Sequence, residues 1–173
     1  MITPERIFIV VGALVATLLQ VVLAPYIAVF SAVPNFMVAF AVAVAVARPD
    51  TYGSVLPFVL GLLFDLIGGG PVGAMAFSLT LFTYLVARYS AHVGNDSTVM
   101  SIVYMVLALL LVELSYGAIL LLFGYNANLF EALAYRVVPC FVYDMVIACL
   151  LYPLARRFVQ PSGVVRADIT QLR

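Results

Sequence analysis

Gly61-Leu62-Leu63-Phe64-Asp65-Leu66-Ile67-Gly68-Gly69-Gly70-Pro71-Val72-Gly73 sets one carboxylate inside an apolar run, follows it with three glycines, and reopens the apolar run after a proline. The stretch reads as two membrane helices joined by a very tight turn, with Asp65 just before the turn. Glycine admits positive φ and close backbone approach, so Gly68 to Gly70 suit a reversal. Pro71 suits the first position of the second helix, where its missing N–H has no intrahelical acceptor to lose. The rest of the chain reads as the bundle that houses this hairpin.

The 173 residues are 66% hydrophobic and 9% charged, and the mean hydropathy is +1.20. Such a composition belongs to an integral membrane protein, here of one compact all-α domain. The net charge is zero, tryptophan is absent and arginine carries all the positive charge, so nucleic acid is not an expected partner. Cys140 and Cys149 fall on one expected helix, too far apart along its axis for a disulfide, and are expected to be buried thiols. The first apolar run follows Thr3-Pro4-Glu5-Arg6 and leads straight into further apolar sequence. It reads as an uncleaved first span, with no large soluble domain expected before or after the membrane part.

Six spans are expected, over about 7–23, 34–47, 53–67, 71–89, 98–123 and 131–158, forming a compact six-helix transmembrane bundle across 1–158 with a short cytoplasmic tail at 159–173. In the first span Gly12, Ala16 and Gln20 recur every four residues and offer a neighbouring helix a close approach. The second contains Ala39-Phe40-Ala41-Val42-Ala43-Val44-Ala45-Val46, whose period of two is that of a strand. A lone strand cannot satisfy its backbone in lipid, so the segment is read as helix. The third is short and contains Pro57, which predicts a kink or a locally thinned bilayer. In the fourth, Gly73, Ala76, Thr80, Thr83 and Ala87 form a seam of small and hydroxyl side chains. With the N-terminus in the cytoplasm, Arg6, Arg48, Arg88, Arg156, Arg157, Arg166 and Arg173 all collect on the inner face. The turn from Gly68 to Pro71 then faces outward.

Asp65, Glu113, Arg136 and Asp144 lie inside expected spans, where a charge costs roughly 3 kcal/mol or more unless paired or hydrated. Helix rise puts Asp65 and Arg136 in the outer part of the membrane, Glu113 deeper and Asp144 near the middle. Arg136 is expected to bridge Asp65, Glu113 or both. Three acids against one base leave carboxylates in excess, and Asp144 is the candidate for a protonated acid or one hydrogen-bonded to a neighbouring helix. A proton or cation path, polar glue between helices, and a contact facing a partner are the three readings of this set. His92 has no second histidine to share a metal, and Ser78, Ser101 and Ser115 have no nearby base, so neither metal binding nor nucleophilic catalysis is expected. Gly68-Gly69-Gly70 lacks the Gly-Lys-Ser/Thr continuation of a phosphate loop and reads as a turn. No cofactor is expected, and no enzymatic activity.

The run Gly61 to Asp65 with Gly70-Pro71-Val72-Gly73, then Ala76-Phe77 and Tyr84-Leu85, resembles the signature of the MreD family of bacterial rod-shape-determining membrane proteins. Arg136-Val137-Val138-Pro139 with Tyr143-Asp144 and Leu151-Tyr152-Pro153 resembles that family's last span, so the likeness covers the whole chain. The resemblance implies a non-enzymatic scaffold of the cell-elongation (peptidoglycan synthesis) machinery in the bacterial inner membrane. Its partners would be an MreC-like single-span protein and, through it, a RodA-type glycan polymerase, a class B penicillin-binding transpeptidase and, indirectly, MreB filaments. The family's fold is similar to the S components of energy-coupling-factor vitamin transporters, which makes a substrate-binding S component the alternative, although fold does not carry function. The outer loops expected here are too short to cover a ligand, which favours the scaffold. For that role Asp65 and Arg136 would fix the third and sixth helices. Gly70, Pro71 and Gly73 would shape the hairpin, and the seam from Gly73 through Thr80 to Ala87 would pack on another helix.

Overall fold

A computed structural model of the protein describes residues 4–28, 32–48, 55–93, 97–124 and 137–159. Among them are six α-helices, α1 (Pro4–Val22), α2 (Phe36–Ala47), α3 (Val55–Gly68), α4 (Ala74–Val93), α5 (Thr98–Leu122) and α6 (Val138–Val159), with a short 3-10 turn at Ala24–Tyr26. No strand occurs among the described residues. The start of the expected sixth span, 131–136, and the tail from 160 onward lie outside them.

The centre of the fold is α2. A helix that is apolar all round has no face to offer water and is surrounded either by lipid or by other helices; here it is the helices. All twelve residues of α2 are apolar and all are buried. The alternation of alanine and valine that mimics a strand scatters both residue types around the helix, leaving it thin on every side. Helices α1, α3, α4, α5 and α6 all touch α2, and they touch one another in the order α1, α3, α4, α5, α6 and back to α1, closing a ring around it.

The ring is fitted closely where the sequence is small. On α1, Gly12 has the Phe40 ring where a Cβ would stand, and Ala16 and Gln20 are its two buried residues. On the hairpin, a Cβ on Gly61 would lie 2.5 Å from the Ala76 Cα, so α3 and α4 meet backbone to backbone. Pro57 sits in the first turn of α3, where no intrahelical hydrogen bond is lost, so the reason for expecting a kink disappears.

The turn between α3 and α4 is longer than expected. Gly69 (φ 66°) and Gly73 (φ 97°) occupy the left-handed region. The Ala74 N–H donates to the Pro71 carbonyl at 3.1 Å and the Phe77 N–H to that of Gly73 at 2.8 Å. Positive φ at Gly73 is incompatible with a right-handed helix, so α4 begins at Ala74 and Pro71 belongs to the turn rather than opening the helix.

At the opposite end of the bundle, Arg48 at the C-terminus of α2 pairs with Glu5 of α1, and the Tyr152 hydroxyl of α6 meets Ser101 Oγ of α5 at 2.6 Å. Three helices are long and apolar enough to cross a membrane, over Pro4–Val22, Thr98–Leu122 and Val138–Phe158, while Phe36–Ala47 and Val55–Gly68 are apolar but shorter. Leu14, Leu18, Val103, Leu150 and Leu154 face outward, an apolar exterior suited to lipid. Cys140 is buried, but Cys149 is exposed on this exterior, contrary to the expectation of two buried thiols. Nine residues on one helix turn them to different sides.

Candidate functional site

The buried amides and carboxylates, Gln20, Asn35, Asp65, Glu113 and Asp144, gather toward the hairpin end of the bundle, around two helix N-termini. The first few N–H groups of a helix have no partner within it and carry the positive end of the macrodipole, so a carboxylate placed there is doubly favoured. Asp65, in the last turn of α3, folds back across the turn to supply that carboxylate to α4. Its Oδ2 accepts the N–H of Gly73 at 2.9 Å and that of Ala76 at 3.1 Å, and its Oδ1 accepts that of Met75 at 3.0 Å. The side chain is only 2% exposed. A carboxylate near its own helix C-terminus is unfavourable, and the α4 amides reverse that balance.

The N-terminus of α2 is held from three sides. Asn35 caps it, its Oδ1 accepting the Val38 N–H at 3.1 Å. Gln20 of α1 accepts the Phe36 N–H at 2.8 Å and donates to the Pro34 carbonyl at 3.2 Å. Asp144 of α6 accepts the Asn35 N–H at 2.6 Å through Oδ1. Asp144 is wholly buried, and its carboxyl meets that of Glu113 of α5, side chain to side chain. Glu113 stands nine residues before the end of α5 and Asp144 six after the start of α6, about 13 and 9 Å along the two axes. The α2 N-terminus therefore begins well inside the bundle, and the non-helical backbone leading to it lies at that depth.

A cavity of about 240 Å³ opens beside this junction, lined by Gln20, Asn35, Phe64, Glu113, Tyr116 and Cys140 among others. Gly70 packs close to one of these lining residues, since a Cβ there would stand 3.0 Å from the Tyr116 hydroxyl. Outside the ring, a groove of about 400 Å³ runs between α3 and α4, with Gly73, Ala76 and Thr80 along it and Phe58, Phe77 and Tyr84 beside them. Thr17, Thr83, Ser90, Ser101 and Ser115 each donate to a carbonyl of the preceding turn. Thr80 Oγ1 is shielded and makes no such bond.

The sequence-derived set thus divides. Asp65, Gly70, Pro71 and Gly73 come together in the hairpin, Glu113 and Asp144 at the α2 junction, and Thr80 lies in the outer groove. Arg136, with the bridge expected of it, lies outside the described residues. Gly73 has no neighbour within 4 Å of where a Cβ would be, so within the chain it serves the turn rather than helix packing. Asp144 is not an isolated acid but part of a junction with Glu113 and Asn35. Gln20 and Asn35 escaped the sequence reading as site residues. Asn35, an amide just ahead of an apolar run, carried an N-cap signal; Gln20 had only its place on the small-residue strip.

Chemically, these side chains are occupied in holding backbone groups of neighbouring helices. Among the described residues no three His, Cys, Asp or Glu side chains gather as a metal site. No curated protein and no solved structure matches the chain. The family model of the rod shape-determining protein MreD matches residues 3–161, a span that takes in every helix described above. A membrane protein by its apolar helices, the chain belongs to the MreD family of rod shape-determining proteins.

Proposed function

We propose that this chain is the non-enzymatic, multi-pass scaffold of the cell-elongation complex in the bacterial inner membrane. It binds an MreC-like single-span protein and through it connects MreB filaments with a RodA-type glycan polymerase and a class B penicillin-binding transpeptidase. Family membership supports a role in rod-shape determination. The observation that carries the scaffold reading is the use of Asp65, Gln20 and Asp144 on the backbone of adjoining helices, which makes the bundle a rigid support. The six helices serve as its spans, and the arginines at the end away from the hairpin favour cytoplasmic termini. Depleting the chain in its native host should make cells lose their shape, and re-expression should restore it. Unchanged shape on depletion would contradict the proposal.

The alternative, a substrate-binding S component of an energy-coupling-factor transporter, draws on the cavity at the α2 junction. At about 240 Å³ this cavity is smaller than the usual range for sites that enclose drug-sized molecules. A bound vitamin in the purified protein would favour that alternative.

A further inference from the structure

We infer that the cleft between α1 and α6 holds one phospholipid with an anionic headgroup, its acyl chain lying in the cleft and its phosphate beside Arg157. The cleft has a volume of about 700 Å³, with Val11 and Val15 of α1 and Leu150 and Leu154 of α6 as its lips and Phe36 and Phe40 of α2 as its floor. The lips are exposed and the floor is buried, so the space opens sideways to the lipid. Every residue lining it is apolar, and its volume falls within the range of about 300–1,000 Å³ for sites that enclose a small molecule. It runs along α1 from Pro4 to Leu19, about 22 Å at the helical rise. An acyl chain crossing one leaflet needs about 15 Å, half of the hydrocarbon core.

Width and charge choose this lipid over a partner helix. Spread over that length, the volume leaves a cross-section some 6 Å wide, which admits an extended hydrocarbon chain but not a helix of about 10 Å. A helix also comes close over small residues, and those of α1 are not at the lips. The Phe40 ring stands where a Cβ on Gly12 would be, and Ala16 is buried. At the end away from the hairpin the Phe8 and Phe158 rings stack at 5.1 Å and join α1 to α6. There Arg6, Arg48, Arg88, Arg156 and Arg157 stand against a single acid among the described residues, Glu5, which pairs with Arg48. Arg157 is exposed and directly precedes Phe158, which lines the cleft. Its long stem carries the guanidinium to the membrane surface, where the fork of donors matches a phosphate. The segment that follows α6, with Arg166, Asp168 and Gln171, is too polar to fill the cleft itself.

The test is native mass spectrometry of the purified full chain in detergent, stripped of lipid and titrated with phosphatidylglycerol or phosphatidylcholine of the same acyl chains, with thermal unfolding in each. Saturable binding of one phosphatidylglycerol is expected, with a rise in the midpoint of about 3 °C or more. The preference over phosphatidylcholine should be about fivefold or more, the effect of one arginine near an anionic surface, and Arg157→Gln should lower it by roughly that factor. Val15→Trp, which fills the cleft from an exposed lip, should abolish the one-to-one binding; should it fail to fold, Leu150→Trp is read in its place. Equal binding of the two lipids, or one-to-one binding that survives in a folded cleft-filling variant, would overturn the inference. So would loss of a co-purifying single-span protein from Val15→Trp with its lipid binding unchanged, which would give the cleft to a helix.

Discussion

The backbones of Gly61 and Ala76 touch: a Cβ on Gly61 would stand 2.5 Å from the Ala76 Cα and 2.8 Å from its nitrogen. Neither atom belongs to a side chain that can swing away. Gly61→Ala should therefore force α3 and α4 apart and cost about 1–3 kcal/mol, the range for overpacking a core. The check is the unfolding midpoint in detergent, and a change under about 0.5 kcal/mol would show that the helices separate freely.

Replacing Asp65 strips the N-terminus of α4 of its cap. Asp65→Ala leaves the N–H groups of Gly73, Met75 and Ala76 without their acceptor, at an expected cost of about 2–3 kcal/mol. Asp65→Asn keeps one acceptor oxygen and should cost less. Hydrogen exchange should show faster exchange at Met75 and Ala76 in Asp65→Ala. Unchanged rates there would contradict the capping role.

The junction at α2 should be as sensitive. Gln20→Leu would orphan the Phe36 N–H and the Pro34 carbonyl together, and about 2–4 kcal/mol of stability should be lost. Asp144→Leu removes the acceptor of the Asn35 N–H, whereas Asp144→Asn can keep it, so stability should fall in the order wild type, Asp144→Asn, Asp144→Leu. Equal stability of the two variants would mean that the bond to Asn35 contributes nothing.

Much of this was legible in the sequence, because in a membrane the apolar pattern and the breaks are strong signals. The hairpin, the packing strip on α1 and the helical reading of the alanine-valine run follow from backbone satisfaction and small-residue spacing. What was not legible were the partners of the buried acids. Asp65 accepts from amides across its own turn, and glycine geometry rather than residue type brings them there; the bridge expected of Arg136 lies outside the described residues. Likewise, nothing in the neighbourhood of Phe36 announces that α2 is the central helix. That follows only when five other helices are found around it.

Gly73 and Thr80 distinguish the turn from the outer groove. Gly73→Ala meets no atom within 4 Å, but the φ of 97° is strained for any side chain, so about 1–2 kcal/mol should be lost through conformation alone. Thr80→Phe breaks none of the hydrogen bonds described and points bulk into the groove between α3 and α4. If a partner helix packs there, this variant should stay within about 1 kcal/mol of wild-type stability while recovery of the partner falls several-fold. Full recovery with Thr80→Phe would move the partner to another face.

The most direct test of the scaffold account is purification of the tagged chain from its native host in gentle detergent, with co-purifying proteins identified by mass spectrometry. The account predicts an MreC-like single-span protein together with the glycan polymerase or the transpeptidase. Recovery instead of a coupling membrane protein with two ATPases would contradict it and make the chain a substrate-binding component of a transporter.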